Sequence, residues 1–202
     1  MLSHWPVEPA GWIRSLIRLV IPTSCTICEA ALTTDPVPLF CRSCWATIAP
    51  LKQARCPHCD RPFPSPVAVV SSPTHRCHHC TVRPPAYTKA WTLYPYVPPL
   101  REAICQFKYR GIISLASPLA RLMIDALPAS LAIDALMPVP LHASRLWERE
   151  FNQSLLLADA IGRSMHRPVS CTNLIRTLPS DPQSTLSRKE RIKNLRRAFA
   201  VR

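Results

Sequence analysis

Glycine is nearly missing from this chain: Gly11, Gly111 and Gly162 are the only three in 202 residues, about a fifth of ordinary usage. Few places remain where backbone can approach a phosphate closely. Neither G-x-G-x-x-G nor G-x-x-x-x-G-K-[ST] occurs, which excludes the dinucleotide and P-loop fingerprints. Acidic residues are also scarce, 12 against 25 Lys and Arg for a net charge of +13, and no two of them are adjacent. Long apolar runs are absent too. The stretch from Trp12 to Ile21 is cut by Arg14 and Arg18, is too short to cross a bilayer, and precedes no small-residue cleavage site. Its spacing of Ile13, Leu16, Ile17 and Val20 predicts an amphipathic helix within residues 1–20. The expectation is a cytoplasmic protein without a membrane span.

What the chain has in excess is cysteine at fixed spacing. Eight of its ten cysteines form four C-x-x-C pairs: Cys25/Cys28, Cys41/Cys44, Cys56/Cys59 and Cys77/Cys80. Two cysteines three apart on a tight turn aim both sulfurs at one point, and two such turns complete a tetrahedral thiolate shell for Zn²⁺. Four pairs predict two structural Zn²⁺ sites, which supply folding energy to a segment too short and proline-rich for a core of its own. A disulfide framework is the competitor, but it requires an export signal that residues 1–24 do not provide. Loops of 12 and 17 residues within successive pairs suit sequential pairing and two stacked zinc ribbons over 21–82. Interleaved pairing, giving a cross-braced, RING-like module, is the alternative.

His58, His75, His78 and His79 lie among these cysteines, but a closed Cys₄ site has no vacancy, so a surface position is expected for them. Trp45 and Phe63 follow C-x-x-C pairs and are expected to cover the metal sites. Cys105 and Cys171 lie in apolar settings and read as small buried hydrophobes.

The remaining sequence has room for one modest domain. The apolar fraction of the whole chain, 48%, is that of a globular protein. Tyr87 to Val97 alternates like a strand; helices are predicted from Pro98-Pro99 to near Lys108–Gly111 (with Leu100, Ile104 and Phe107 at helical spacing), over 112–127, and from Asn152 to His166; Ile133 to Val139 and Pro168 to Ile175 read as strands. Ser187 and Glu190 form a capping box that opens a last, basic helix, followed by a strand at Phe199. Strands alternating with helices argue for an α/β domain with a mainly parallel sheet over 83–202. Residues 142–202 alone carry +7, with the densest cluster between Arg188 and Arg197. Such a run suits polyanions, single-stranded DNA among them, or is a solvated helix face.

Met137-Pro-Val-Pro-Leu-His142, Arg145-Leu-Trp-Glu-Arg149, Phe151-Asn-Gln153 and Leu186-Ser-Arg-Lys-Glu-Arg191, with Asn194, Ala198-Phe199 and Phe107-Lys-Tyr-Arg-Gly111, resemble the ComF family of competence-associated proteins. The resemblance implies a double zinc ribbon followed by a type I phosphoribosyltransferase-like domain. It also assigns a pyrophosphate-side loop to His142, Arg145, Arg149, Asn152 and Gln153, and a mobile flap to Ser187, Arg188, Arg191 and Asn194. For Asn152 and Gln153 the residues read equally well as a helix cap and a first-turn contact. Glu150 stands where the family pattern has glycine, and glutamate does not readily adopt positive φ.

The family's paired acids and Thr-Thr-Gly turn, which hold phosphoribosyl pyrophosphate with Mg²⁺, do not occur in these residues, so the expectation is a domain lacking its C-terminal part and catalytically incomplete as given. Three readings stand: a ComF-type protein handling incoming DNA, a non-catalytic zinc-ribbon adaptor for single-stranded DNA or a helicase-like partner, and a RING-like interaction module.

Overall fold

The computed structural model describes residues 23–179 and 186–202; the helix expected within 1–20 lies outside them. Each ribbon opens on a hairpin knuckle built by its first C-x-x-C pair. In the first, the Cys25 amide donates to Ala30 O (2.8 Å) and the Glu29 amide returns to Cys25 O (2.9 Å), with Ser24 bridged to Ala31. The second repeats the pattern: Cys56 to Arg61 O (2.9 Å), Asp60 to Cys56 O (2.9 Å), and Arg55 bridged to Pro62. The second pair of each ribbon lies at the start of a short helix. Cys41 caps α1 (Arg42–Ala46). After α2 (Val67–Ser71), Cys77 occupies the cap position of α3 (His78–Val82).

Scarce glycine leaves its mark on the backbone. Glu29, Leu39, Asp60, Glu150, His166 and Arg197 all have φ between 53° and 67°, where an L side chain costs about 1–2 kcal/mol. Glu150 therefore does take the left-handed conformation, at φ 62°, because its amide closes the end of a helix on Leu146 O (2.8 Å). At Gly162 the reason for glycine is space: a Cβ would stand 2.8 Å from both Arg167 O and Val169 Cγ2.

The helices that follow are α4 (Leu100–Tyr109), a 3₁₀ turn (Ile113–Leu115), α5 (Ala116–Ala126), α6 (Ala143–Arg149) and α7 (Gln153–Met165). Then come β1 (Leu174–Arg176), α8 (Arg188–Leu195) and β2 (Phe199–Val201). The main core joins Leu100, Ala103 and Phe107 of α4, Leu115 of the turn and Leu119 of α5 to Val37 and Phe40 of the first ribbon. Phe40 and Leu115 are wholly buried, and Trp45 packs its ring 5.5 Å from that of Phe40. The first ribbon thus shares its apolar core with the helices. The second has a separate small cluster, Cys56, Cys77 and Cys80, against which Cys59 and Phe63 pack.

Among the described residues the sheet is small. β1 and β2 pair antiparallel, with Ile175 opposite Ala200. Parallel pairing is limited to one bridge, Leu136 to Val169, flanked by hydrogen bonds from Leu136 N to Pro168 O (2.9 Å) and Ser170 N to Leu136 O (2.8 Å). Pro138 and Pro140 cannot donate, which stops the strand predicted from Ile133 to Val139 at that bridge.

The alternation from Tyr87 to Val97 does not make a strand. This segment is a strap: Ala90 N donates to His58 O (2.8 Å), Thr92 N to the Asp60 carboxylate, and Leu93 O accepts from Leu51 N (3.0 Å). Tyr94 Oη then reaches Leu122 O on α5 (2.9 Å). The strap's hydrogen bonds go to the knuckle, to Leu51 and to α5 rather than to a neighbouring strand.

Candidate functional site

The eight paired cysteines come together as Cys25, Cys28, Cys41 and Cys44, and as Cys56, Cys59, Cys77 and Cys80, the four sulfurs of each group within 4.8 Å of one another. Pairing is sequential, so the cross-braced alternative is excluded. None of these cysteines is in a disulfide. The Cys28–Cys41 and Cys59–Cys77 sulfurs are 3.7 and 3.6 Å apart, close to the edge of about 3.8 Å for a tetrahedron with Zn–S bonds of about 2.3 Å. The donor set fits Zn²⁺. Bound there, the ion supplies a structural crosslink and no open coordination position.

Backbone amides support the sulfurs: Cys41 N donates to Cys25 Sγ, Cys44 N to Cys41 Sγ and Cys77 N to Cys56 Sγ, each at 3.4 Å. The Ser43 hydroxyl (3.2 Å) and the Cys44 amide hold the Cys41 thiol down to about 6, while the Cys41 and Cys28 sulfurs push Cys44 up to about 12. In the second group burial raises the Cys56 thiol, but the amides of Cys59, Cys77 and His58 outweigh it and bring it down to about 6. Burial, then the Cys59 and Cys77 sulfurs, push Cys80 up to about 12. Both groups therefore mix thiolate and thiol until a cation takes the place of the protons.

His75, His78 and His79 are exposed, as expected. His58 is not: it is 9% exposed and its Nε2–H donates to Tyr87 O (2.6 Å), so it pins the strap to the second knuckle. Phe63 does pack on the second cysteine cluster, whereas Trp45 sits on Phe40 and the main core. Cys171 is exposed and Cys105 half-buried with its sulfur 3.6 Å from Tyr96 Oη, so neither is the buried hydrophobe predicted.

The residues of the expected pyrophosphate-side loop carry local structural contacts. His142 caps α6, its Nδ1 accepting from Ser144 N (3.3 Å). Arg145 donates to Glu148 (2.7 Å), and Arg149 lies over the exposed Tyr109 ring at 5.6 Å. Asn152 caps α7 through Ser154 N (2.9 Å) and Leu155 N (3.4 Å) and donates to Val139 O (3.2 Å). Gln153 is buried and donates to Lys108 O (3.4 Å). Asn152 thus fills the cap role, and Gln153 makes a contact from the first turn of α7 to α4. The Arg145–Glu148 pair was readable from its i,i+3 spacing; the Arg149–Tyr109 stack joins α6 to α4 and had no sequence signal.

Ser187 and Glu190 form the predicted capping box, with Ser187 N donating to Glu190 Oε2 (2.7 Å) and Glu190 N to Ser187 Oγ (3.4 Å). Arg188, Lys189, Arg191, Lys193, Arg196 and Arg197 are exposed, and none is in an ion pair among the described residues. Arg191 donates to Leu186 O (2.9 Å). Asn194 is partly buried on the same helix. No helix among the described residues is long and apolar enough to cross a membrane.

Two tetra-cysteine groups on repeated knuckles define a double zinc-ribbon protein, and the double zinc ribbon domain family matches residues 16–82. The similarity to known proteins runs much further. The DNA utilization protein YhgH of Escherichia coli O6:H1 is 30% identical over 192 residues, covering 91% of this chain and 79% of that protein. Competence protein F of Haemophilus influenzae is 30% identical over 132 residues, 62% of this chain and 57% of that protein. Competence protein ComFC of Bacillus subtilis is 28% identical over 205 residues, 92% of this chain and 76% of that protein. The chain belongs to the ComF family of competence and DNA-utilisation proteins. No solved structure matches it.

Proposed function

We propose that this protein handles DNA in competence-linked uptake or DNA utilisation, holding single-stranded DNA on the basic face of α8 and its flanks. The observation that carries the reading is the set of six exposed cations from Arg188 to Arg197 with no carboxylate partner among the described residues. The one acid of that helix, Glu190, is committed to the capping box. Unneutralised cations on a surface helix attract phosphates and release counterions, which yields affinity without sequence preference. The names of the relatives, DNA utilization and competence proteins, point the same way.

In this reading residues 83–202 are the phosphoribosyltransferase-like part. The left-handed Glu150 supports it, because the loop keeps the backbone shape that a glycine there permits. The segment from His142 to Gln153 then attracts a polyanion weakly: Arg145 is held by Glu148, Arg149 by Tyr109, and Asn152 and Gln153 by backbone. Phosphoribosyl pyrophosphate and Mg²⁺ would need carboxylates that these 202 residues do not pair. A helicase-like protein is a further proposed partner.

The test is fluorescence anisotropy of a labelled single strand against salt concentration. Changing Arg188, Arg191, Arg196 and Arg197 together to Ala should flatten the log–log salt slope by up to about 3, at about 0.7 for each phosphate no longer neutralised. An unchanged slope refutes the assignment to this face.

A further inference from the structure

The two metal groups share geometry but not access. In the second, Cys56, Cys77 and Cys80 are buried and Cys59 is half-buried, under the strap that His58, Asp60 and Ala90 fasten across the knuckle. In the first, Cys28 is exposed. It also lacks the amide hydrogen bonds that Cys25 and Cys41 have, a lack it shares with the half-buried Cys44. Cys25 and Cys41 each accept a backbone amide at 3.4 Å, and Cys41 also meets the Ser43 hydroxyl. Cys28 accepts no backbone amide among the described residues; its sulfur lies among the other sulfurs of the group, 3.7 Å from that of Cys41. Amide hydrogen bonds withdraw charge from a thiolate, so a metal-bound sulfur that is exposed and without them is the better nucleophile toward an oxidant.

We propose that Cys28 is a peroxide-reactive ligand through which the first ribbon releases its Zn²⁺ on oxidation while the second ribbon keeps its own. The Cys28 thiolate attacks one oxygen of hydrogen peroxide, breaking the O–O bond to give a sulfenic acid and hydroxide. The neighbouring Cys41 thiolate then attacks the Cys28 sulfur, forming the disulfide and expelling a second hydroxide. Two thiolates lose two electrons to one peroxide. Stripped of two of its four ligands, the ion leaves. Val37 and Phe40, buried in the main core beside this site, keep the segment anchored, so a thiol reductant and Zn²⁺ restore the ribbon.

The experiment treats the two-zinc protein with hydrogen peroxide, follows metal content by native mass spectrometry, and maps thiols by differential alkylation and peptide analysis. The first Zn²⁺ should leave on the order of tenfold faster than the second, in step with a Cys28–Cys41 disulfide, and reduction with added Zn²⁺ should return the two-zinc mass. Cys28→His, which keeps a ligand without an oxidisable sulfur, should abolish the fast phase; Cys59→His should leave it unchanged. Simultaneous loss of both ions, or a first disulfide between Cys59 and Cys77, overturns the proposal. Both outcomes are read on the unaltered protein, whatever the variants do.

Discussion

The two ribbons are near copies in backbone and differ in what holds them to the molecule. Each has a knuckle closed by the same pair of main-chain bonds, a left-handed residue directly after the second cysteine, and a second C-x-x-C at the start of a short helix. The first inserts Val37 and Phe40 into a core shared with α4 and α5. The second buries mainly its own cysteines and is tied down by a strap of hydrogen bonds. Identical metal chemistry thus supports one module by core packing and leaves the other dependent on its ion.

The strongest attempt to break this contrast removes a ligand from the second site. Cys80→Ala should cost it the metal, worth about 10 kcal/mol or more in zinc-finger peptides. Hydrogen exchange should then show residues 54–82 and the strap unprotected while α4, α5 and α7 stay protected. Loss of protection in those helices would show that the second ribbon also carries the core.

Next in size is a pair of aromatic truncations, compared by denaturant unfolding with Zn²⁺ saturating. Phe40→Ala empties a fully buried site and should cost about 3–5 kcal/mol. Phe63→Ala, at a half-buried ring, should cost about 1 kcal/mol. Equal costs would erase the difference between the ribbons.

Proton competition should treat the two sites alike. Cys44 and Cys80, raised to about 12, hold their protons at neutral pH without metal, so Zn²⁺ must displace them. The metal-free state binds more protons, acid favours it, and affinity should rise with pH by about tenfold per unit for each proton released. Chelator competition at several pH values should give parallel slopes. A flat slope at one site would show that its thiols are already ionised.

The smallest effect is the most discriminating, because it compares equivalent positions. Glu29 and Asp60 each follow a knuckle at positive φ. Glu29→Gly relieves that strain and should stabilise by about 1 kcal/mol. Asp60→Gly relieves it too, but loses the Arg55 pair at 3.2 Å and the Thr92 amide, a loss of about 1–3 kcal/mol. Calorimetry should therefore find shifts of opposite sign. Shifts of one sign would mean that the strap contributes nothing.

Residue identity and spacing alone determined the eight ligands, the Ser187–Glu190 box and helices α4 and α7, because a C-x-x-C turn, a capping side chain and a helical apolar stripe are each satisfied within a few residues of chain. The family, too, was legible in the motifs from Met137 to Phe199. Other features depended on partners distant in sequence. Tyr87 to Val97 alternates like a strand, yet its bonds go to His58, Asp60 and Leu51. His58 reads as a surface residue until the strap covers it. That Arg149 lies over the ring of Tyr109 of α4 is likewise a contact between residues distant in sequence. Which Zn²⁺ site is open to solvent was decided the same way. The eight cysteines have nearly the same local pattern, and only packing buries Cys80 and leaves Cys28 exposed.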